Sequence, residues 1–332
     1  MPAGEFDLIA AINDRLPGDG ERIRVRSGDD AAIVEPAGAS AISVDAVVDG
    51  VHFRLDQFGA RAVGRKALAA GLSDLAAMGA QPGEAYVVVA APGELGDDAL
   101  LEIADGLAEV ASRHGVTVAG GDLVSSPVLM VSVTAVGYEL EGTSLVTRGG
   151  ASPGDVVAVT GRLGGAAGAL ALMEGTGGSL PSQLREAMLA RQLDPAPRLR
   201  EGLALAAKGV TAMIDVSDGL GADAGHLARS SGCRLEIEVE RIPLQEGLAE
   251  VAGGDGAAVE LAVSGGEDYE LLVALPPDRM EPAAEAVAQP GTELTEIGYV
   301  ADGQGVALKL PDGGELQQRG FDHRRGSLSG SG

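Results

Sequence analysis

With 332 residues, 45% of them apolar, the chain is long enough for two domains with real cores and is not a disordered polyanion. Its 24 basic against 49 acidic residues, net charge −25, argue against nucleic acid as a partner, because phosphate backbones need basic stripes. No apolar run approaches the roughly 20 residues that span a bilayer, Glu5 and Asp7 stand where a basic leader would, and the single Cys233 excludes an internal disulfide framework, so a cytoplasmic protein with no membrane partner is expected.

Phe6 to Leu16 reads as a short amphipathic helix, closed by the turn Pro17-Gly18-Asp19-Gly20. Gly28-Asp29-Asp30 leads into a short strand, Ala31 to Val34. Ala41 to Val48 alternates, so Ile42, Val44, Ala46 and Val48 face one side while Ser43 and Asp45 lie together on the other. A helix from near Arg61 to a glycine stop at Gly79 is apolar all round, which means burial. Asp74 projects from its small-residue face, and Lys66, two turns back and about 80° round, is a poor partner for it. Tyr86 to Ala90 reads as a strand, and Asp97 to His114 as a helix with Leu100, Ile103, Leu107 and Val110 as its inner stripe. Val116 to Ala119 reads as a strand ending at Gly120-Gly121-Asp122, and Val128 to Tyr138 as another. Strands alternating with helices of this length indicate a mixed α/β domain.

The polar, glycine-rich stretches Glu141 to Thr143 and Arg148 to Gly154 mark a boundary, giving a first domain over 1–140, a second over 141–325 and a disordered tail over 326–332. In the second half a strand, Asp155 to Thr160, enters an alanine-rich helix through Gly164-Gly165. One helix precedes Pro195, and another runs from Arg198 to Lys208. Ala212 to Ser217 alternates with Asp215 and Ser217 on one face, and Asp218-Gly219 starts a helix. Arg234 to Glu240 alternates apolar with acidic residues, as an exposed strand would, and Ser264 to Glu270 falls between two strand-like runs.

Five places share one design, a carboxylate at a strand end or beside glycine: Asp29/Asp30, Asp45, Asp74, Asp122 and Asp215/Asp218. Any one of them reads equally well as a cap or turn residue. Together they suit Mg²⁺, which takes one or two carboxylates per ion and completes its shell with water and phosphate oxygens. The four scattered His and one Cys show no zinc-ligand spacing, which argues against zinc. Gly120-Gly121 and Gly164-Gly165 are candidates for close approach to phosphate, and Arg148 for a bidentate phosphate contact. Neither the G-x-x-x-x-G-K-[ST] run nor the kinase H-R-D and D-F-G motifs occur.

Gly28-Asp29-Asp30, Ser43-Val44-Asp45, Gly50-Val51-His52-Phe53, Leu72 to Gly79, Gly120-Gly121-Asp122, Thr147-Arg148, Asp215 to Leu220 and Gly265 to Glu270 follow in an order that resembles one family. It is the thiamine-monophosphate kinase family of the aminoimidazole-ribonucleotide-synthetase-like superfamily, and the match runs from Gly4-Glu5-Phe6 to Gly320-Phe321-Asp322-His323. The resemblance implies an α/β fold of α+β type in two domains. Its N-terminal mixed-sheet domain would pair in a homodimer, beside a C-terminal α/β domain. It implies ATP-dependent phosphorylation of thiamine monophosphate to thiamine diphosphate with several Mg²⁺. The metal ligands it implies are Asp30, Ser43, Val44, Asp45, Asp74, Asp122, Asp215 and Asp218. Val44, where the family often has Thr, would serve through its carbonyl. Asp74, Asp122 and Asp218 take catalytic roles, Gly121, Asp122, Arg148 and Ser217 nucleotide contacts, and His52, Glu267 and Phe321 substrate contacts. Two alternatives stay open: another ATP-dependent superfamily member, such as an aminoimidazole ribonucleotide synthetase, which the Gly-Gly-Glu-Asp-Tyr-Glu run disfavours, and a non-catalytic acidic protein that binds divalent ions.

Overall fold

The computed structural model describes residues 5–16, 20–25, 31–36, 38–316, 319–322 and 327–330. The chain divides into two compact units, Met1–Leu75 with Ala80–Leu140, and Ala76–Gly79 with Glu141–Gly332. The first carries α1 (Glu5–Asn13), β1 (Ile23–Val25), β2 (Ile33–Val34), β3 (Ser40–Val48), α2 (Leu55–Phe58), α3 (Ala60–Ala77), β4 (Gln81–Ala91), α4 (Asp97–His114), β5 (Thr117–Ser125) and β6 (Met130–Tyr138). Its main sheet has the order β3-β6-β4-β5, with β4–β5 parallel and the other pairs antiparallel. The expected stripe on α4, Leu100, Ile103, Leu107 and Val110, is buried. On α3, Val63, Ala67, Leu68, Leu72, Leu75 and Ala76 are buried as well, so this helix has apolar contacts all round. Lys66 is buried too, its ammonium 5.2 Å from the Phe58 ring centroid. A cation–π contact therefore faces it, on a different side from Asp74.

Strand alternation on β3 holds, but the apolar side is the open one. Ser43 and Asp45 share a face with Val133, Ala135 and Val87, on which α3 packs. Ile42 is 65% exposed, Val44 70% and Val88 37%, all on the opposite face. In β5 the strand does not end at the glycines but continues through Gly120-Gly121-Asp122 to Ser125. A Cβ at Gly121 would stand 2.2 Å from the Val87 carbonyl oxygen, so glycine here serves close strand approach, not a phosphate-binding turn.

The second unit carries β7 (Val156–Thr160), α5 (Gly165–Met173), α6 (Ser182–Leu193), α7 (Leu199–Ala207), β8 (Ala212–Asp215), α8 (Leu220–Ser231), β9 (Arg234–Glu238), α9 (Leu248–Ala252), α10 (Asp255–Ser264), β10 (Leu271–Leu275), α11 (Met280–Ala288), β11 (Leu294–Ala301), β12 (Gly305–Lys309) and β13 (Glu315–Leu316). They build a seven-stranded sheet of order β13-β12-β9-β11-β7-β10-β8, antiparallel except for β12–β9. Its core gathers Val157, Val159, Ile214, Leu227, Leu235 and Leu272 among others.

Two expectations fail in this unit. The run before Gly265 is helix α10, not a strand. β9 is not exposed: it lies inside the sheet with Leu235, Glu236 and Ile237 buried, because Arg234 and Lys309 pair with the Glu236 carboxylate. Of the tail, Ser327–Gly330 forms β15, paired antiparallel with β14 (Arg319–Asp322).

Candidate functional site

In the first unit the backbone period brings three of the expected residues together. Ser43 and Asp45 project from the helix-covered face of β3, and the Ser43 hydroxyl donates a hydrogen bond to the Asp74 carboxylate on α3. The Asp45 carboxylate also accepts from the Ala46 N–H at 2.7 Å, and its carbonyl accepts from Ser132 Oγ at 3.0 Å. Val44 turns its side chain to the other face, which leaves only its carbonyl for any shared role. His52 follows in the turn after β3, where its Nδ1 accepts the Val48 N–H at 3.1 Å. An accepting Nδ1 keeps the proton of the neutral ring on Nε2, which can then donate to an anion.

Asp122 does not join this group. It stands opposite Val88 in the ladder, and alternation puts it on the uncovered sheet face, where it is exposed. Beside it, Gly121 lines an apolar pocket walled by Ile12 on α1 and by Leu100 and Leu107 on α4. Asp30 lies outside the described residues.

In the second unit two loops grip each other. The turn after β8 and the segment 265–270 exchange three backbone bonds: Val216 N–H to Glu270 O at 2.7 Å, Tyr269 N–H to Val216 O at 2.9 Å, and Glu267 N–H to Ser217 O at 2.8 Å. Glu267 (φ 69) and Tyr269 (φ 52) take the left-handed backbone region that non-glycine residues usually avoid. A Cβ at Gly266 would sit 2.2 Å from Ser217 O, so the approach requires glycine. This grip brings Asp215, Ser217, Asp218 and Glu267 into one region. Gln192 Nε2 donates to Glu267 Oε2 at 2.9 Å.

Asp223, in the first turn of α8, was not singled out by sequence, yet its Oδ2 accepts both the Ser217 and the Asp218 N–H at 3.0 Å. Burial, with Asp215 and Asp218 close by, pushes its carboxyl well above the usual aspartate range despite those two bonds. The signal that could have found it is an aspartate spaced five residues after Asp218. Half-buried His226 on the same helix was missed too; burial, then Arg229 and Arg148, lower its pKa. That places Arg148, itself exposed, in the electrostatic surroundings of α8, and its carbonyl accepts from Ser231 Oγ at 3.1 Å.

Behind the loop lies a buried ionic cluster. Glu270 receives Arg198 Nε at 2.7 Å and Nη2 at 2.6 Å, Arg191 Nη2 at 2.8 Å and Thr160 Oγ1 at 2.8 Å. Asp268 caps α5 from within, accepting Gly164 N–H at 2.6 Å and Ala166 N–H at 3.1 Å. Those amides are therefore already occupied, and Gly164-Gly165 is not an open phosphate site. Phe321 lies in β14 opposite Leu328; its side chain is outside the described residues.

Among the described residues no group of three or more His, Cys, Asp or Glu could hold a metal ion unaided. Mg²⁺ does not need such a cage, because one or two carboxylates suffice when water and substrate phosphates fill the remaining positions. The donor set fits that manner of binding: Asp74 with Ser43 and Asp45 in one unit, Asp215 with Asp218 in the other, all hard oxygen.

The AIR synthase related protein N-terminal domain matches residues 28–138, and the AIR synthase related protein C-terminal domain matches residues 152–311. A thiamine-monophosphate kinase of Caulobacter vibrioides is 36% identical over 314 residues, covering 92% of this chain and 86% of its own. The chain belongs to the thiamine-monophosphate kinase family. The crystal structure of the Stenotrophomonas maltophilia K279a thiamine-monophosphate kinase is 36% identical with a TM-score of 0.83, covering 95% of this chain and 99% of that one. A second solved structure, AaThiL complexed with AMPPCP and TMP, is 33% identical with a TM-score of 0.76, covering 96% and 97%. The two-domain α/β fold expected from the sequence is the one observed. Among the described residues no helix is long and apolar enough to cross a membrane.

Proposed function

We propose that the protein transfers the γ-phosphoryl group of ATP to thiamine monophosphate, yielding thiamine diphosphate and ADP in the cytoplasm. The observation that carries this reading is likeness over almost the whole chain to a protein complexed with both AMPPCP and TMP. Chemically, an oxygen of the substrate's phosphate attacks the γ-phosphorus in line, the bond to ADP breaks, and the leaving oxygen keeps the electron pair. A phosphate monoester has a second pKa of about 6 and is largely ionised at neutral pH, so no strong general base is needed. The obstacle is repulsion between two polyanions, and catalysis is positioning plus charge neutralisation.

Asp30, Ser43, the Val44 carbonyl, Asp45, Asp74, Asp122, Asp215 and Asp218 are the ligands in this reading, with Asp74 and Asp218 nearest the chemistry and Asp122, on the other sheet face from Asp74, holding a separate ion. Mg²⁺ bound there supplies the positive charge that lets the two anions meet. Gly121, Asp122, Arg148 and Ser217 hold the nucleotide, and the apolar pocket beside Gly121 suits its base. His52 donates from Nε2 to the substrate phosphate. Glu267, steadied by Gln192, faces the cationic thiazolium or the aminopyrimidine, and Phe321 stacks on a ring. The apolar outer face carrying Ile42, Val44 and Val88 supports pairing with a second copy through the sheets.

The test is a coupled assay with ATP and Mg²⁺, offering thiamine monophosphate or free thiamine as acceptor. Diphosphate formed from the monophosphate alone is expected, and Asp74→Asn removes turnover while leaving the melting curve intact. Turnover with free thiamine only, or near-normal turnover of the variant, defeats the proposal.

A further inference from the structure

We propose that Asp223 is the positioning residue of the Asp215–Asp218 turn, and that it acts through where its oxygen stands and not through its charge. The inference rests on the reading that Asp215 and Asp218 face a cation. Both N–H groups of Ser217 and Asp218 converge on the single Oδ2 of Asp223 at 3.0 Å. The other main-chain groups of the turn are also engaged, since the Val216 N–H, the Val216 carbonyl and the Ser217 carbonyl all bond to segment 267–270. The peptide units from 216 to 218 therefore cannot rotate without breaking one of five hydrogen bonds. Asp223 is itself fixed, because it is buried in the first turn of α8 and its own N–H donates to Gly219 O at 3.0 Å.

The clamp works against electrostatics. Three carboxylates gathered between the end of β8 and the first turn of α8 repel one another, and rotating the Ser217–Asp218 peptide away would relieve that repulsion. Holding both amides on one buried oxygen closes that route, so the buried Asp215 and the half-buried Asp218 keep one spacing before any cation arrives. Such preorganisation is what a supporting side chain contributes to a ligand set.

Two conservative variants of the full chain separate place from charge. Asp223→Asn keeps an oxygen able to accept both amides and removes the charge. Asp223→Glu keeps the charge and displaces the oxygen by one methylene. Hydrogen exchange over residues 215–219 and binding of Mn²⁺ alone are read, the latter as the component that Asp215→Asn removes. Asp223→Asn is expected to keep wild-type protection and an Mn²⁺ affinity within about threefold. Asp223→Glu is expected to lose protection and bind about tenfold more weakly, the scale of losses seen when residues that orient metal ligands are changed. The reverse ranking, equal losses in both variants, or no Mn²⁺ component in the wild type would overturn the inference. Neither readout needs turnover, so this ranking in a protein that fails the kinase assay would reject the proposed substrate and still support the clamp.

Discussion

Replacing Glu270 by Gln tests whether the loop that carries Glu267 is held by a buried ion cluster. The wild-type carboxylate is fully buried and accepts a bidentate contact from Arg198, one bond from Arg191 and one from Thr160. Burial alone would raise its pKa, but the Arg198 and Arg191 contacts outweigh it and hold the carboxyl below the ordinary 4.5. Gln preserves the shape. It turns one acceptor into a donor that faces other donors, and it leaves Arg198 and Arg191 with only Glu201, at 3.8 Å from Arg198, and Asp268 as remaining counter-charges. Breaking one side of a buried ion pair costs about 3–5 kcal/mol. For a unit of this size about 1 kcal/mol moves Tm by roughly 2–4 °C, so Tm falls by about 6–20 °C. Thermal and urea unfolding at pH 7.5 measure this, and a loss below about 1 kcal/mol, the value of an exposed pair, would refute the argument. The pH dependence gives a second check on sign. Because the folded pKa is depressed, the stabilisation is present above the ordinary 4.5 and is lost as pH falls through the folded value, so the two proteins converge in acid.

Asp268 behaves in the opposite sense: burial raises its pKa from 3.8 to about 6 against the pull of Arg191 and two amides, so its contribution to stability is fully present below 3.8 and is lost as pH rises through about 6. That span corresponds to about 3 kcal/mol, and Asp268→Asn should gain on the wild type by that order between pH 4 and 7 in urea titrations; a constant difference contradicts it. Val44→Lys places a charge on the open apolar sheet face, and light scattering should show a fall from dimer to monomer mass at micromolar concentration. An unchanged dimer mass, or a monomeric wild type, removes that face as the pairing surface.

What the sequence discloses here is periodic or local, and what it conceals is non-local. The period of two on β3 is enough to put Ser43 beside Asp45, and the apolar girth of α3 is enough to predict its burial with Asp74 on board. The same alternation does not say which face is covered, because that depends on where α3 packs; the apolar side proved to be the open one, and a second surface is the physical remedy for it. Gly120-Gly121 reads as a turn because glycine punctuates loops, yet the demand at Gly121 comes from the Val87 carbonyl on a neighbouring strand. Glu236 reads as exposed because nothing near it in sequence predicts that Lys309 will arrive from β12. Asp223 is the sharpest instance. An aspartate in the first turn of a helix has a sufficient local explanation in the helix dipole, so the pattern gives no reason to look further. Its two amide bonds reach back across the turn, and they acquire meaning only because segment 267–270 holds the same turn from the other side. A carboxylate that binds a ligand and one that orients the carboxylates beside it have the same letter in the sequence. What separates Asp223 from the proposed ligand Asp74 is its deeper burial and its donors, two backbone amides from across the turn where Asp74 has the Ser43 hydroxyl.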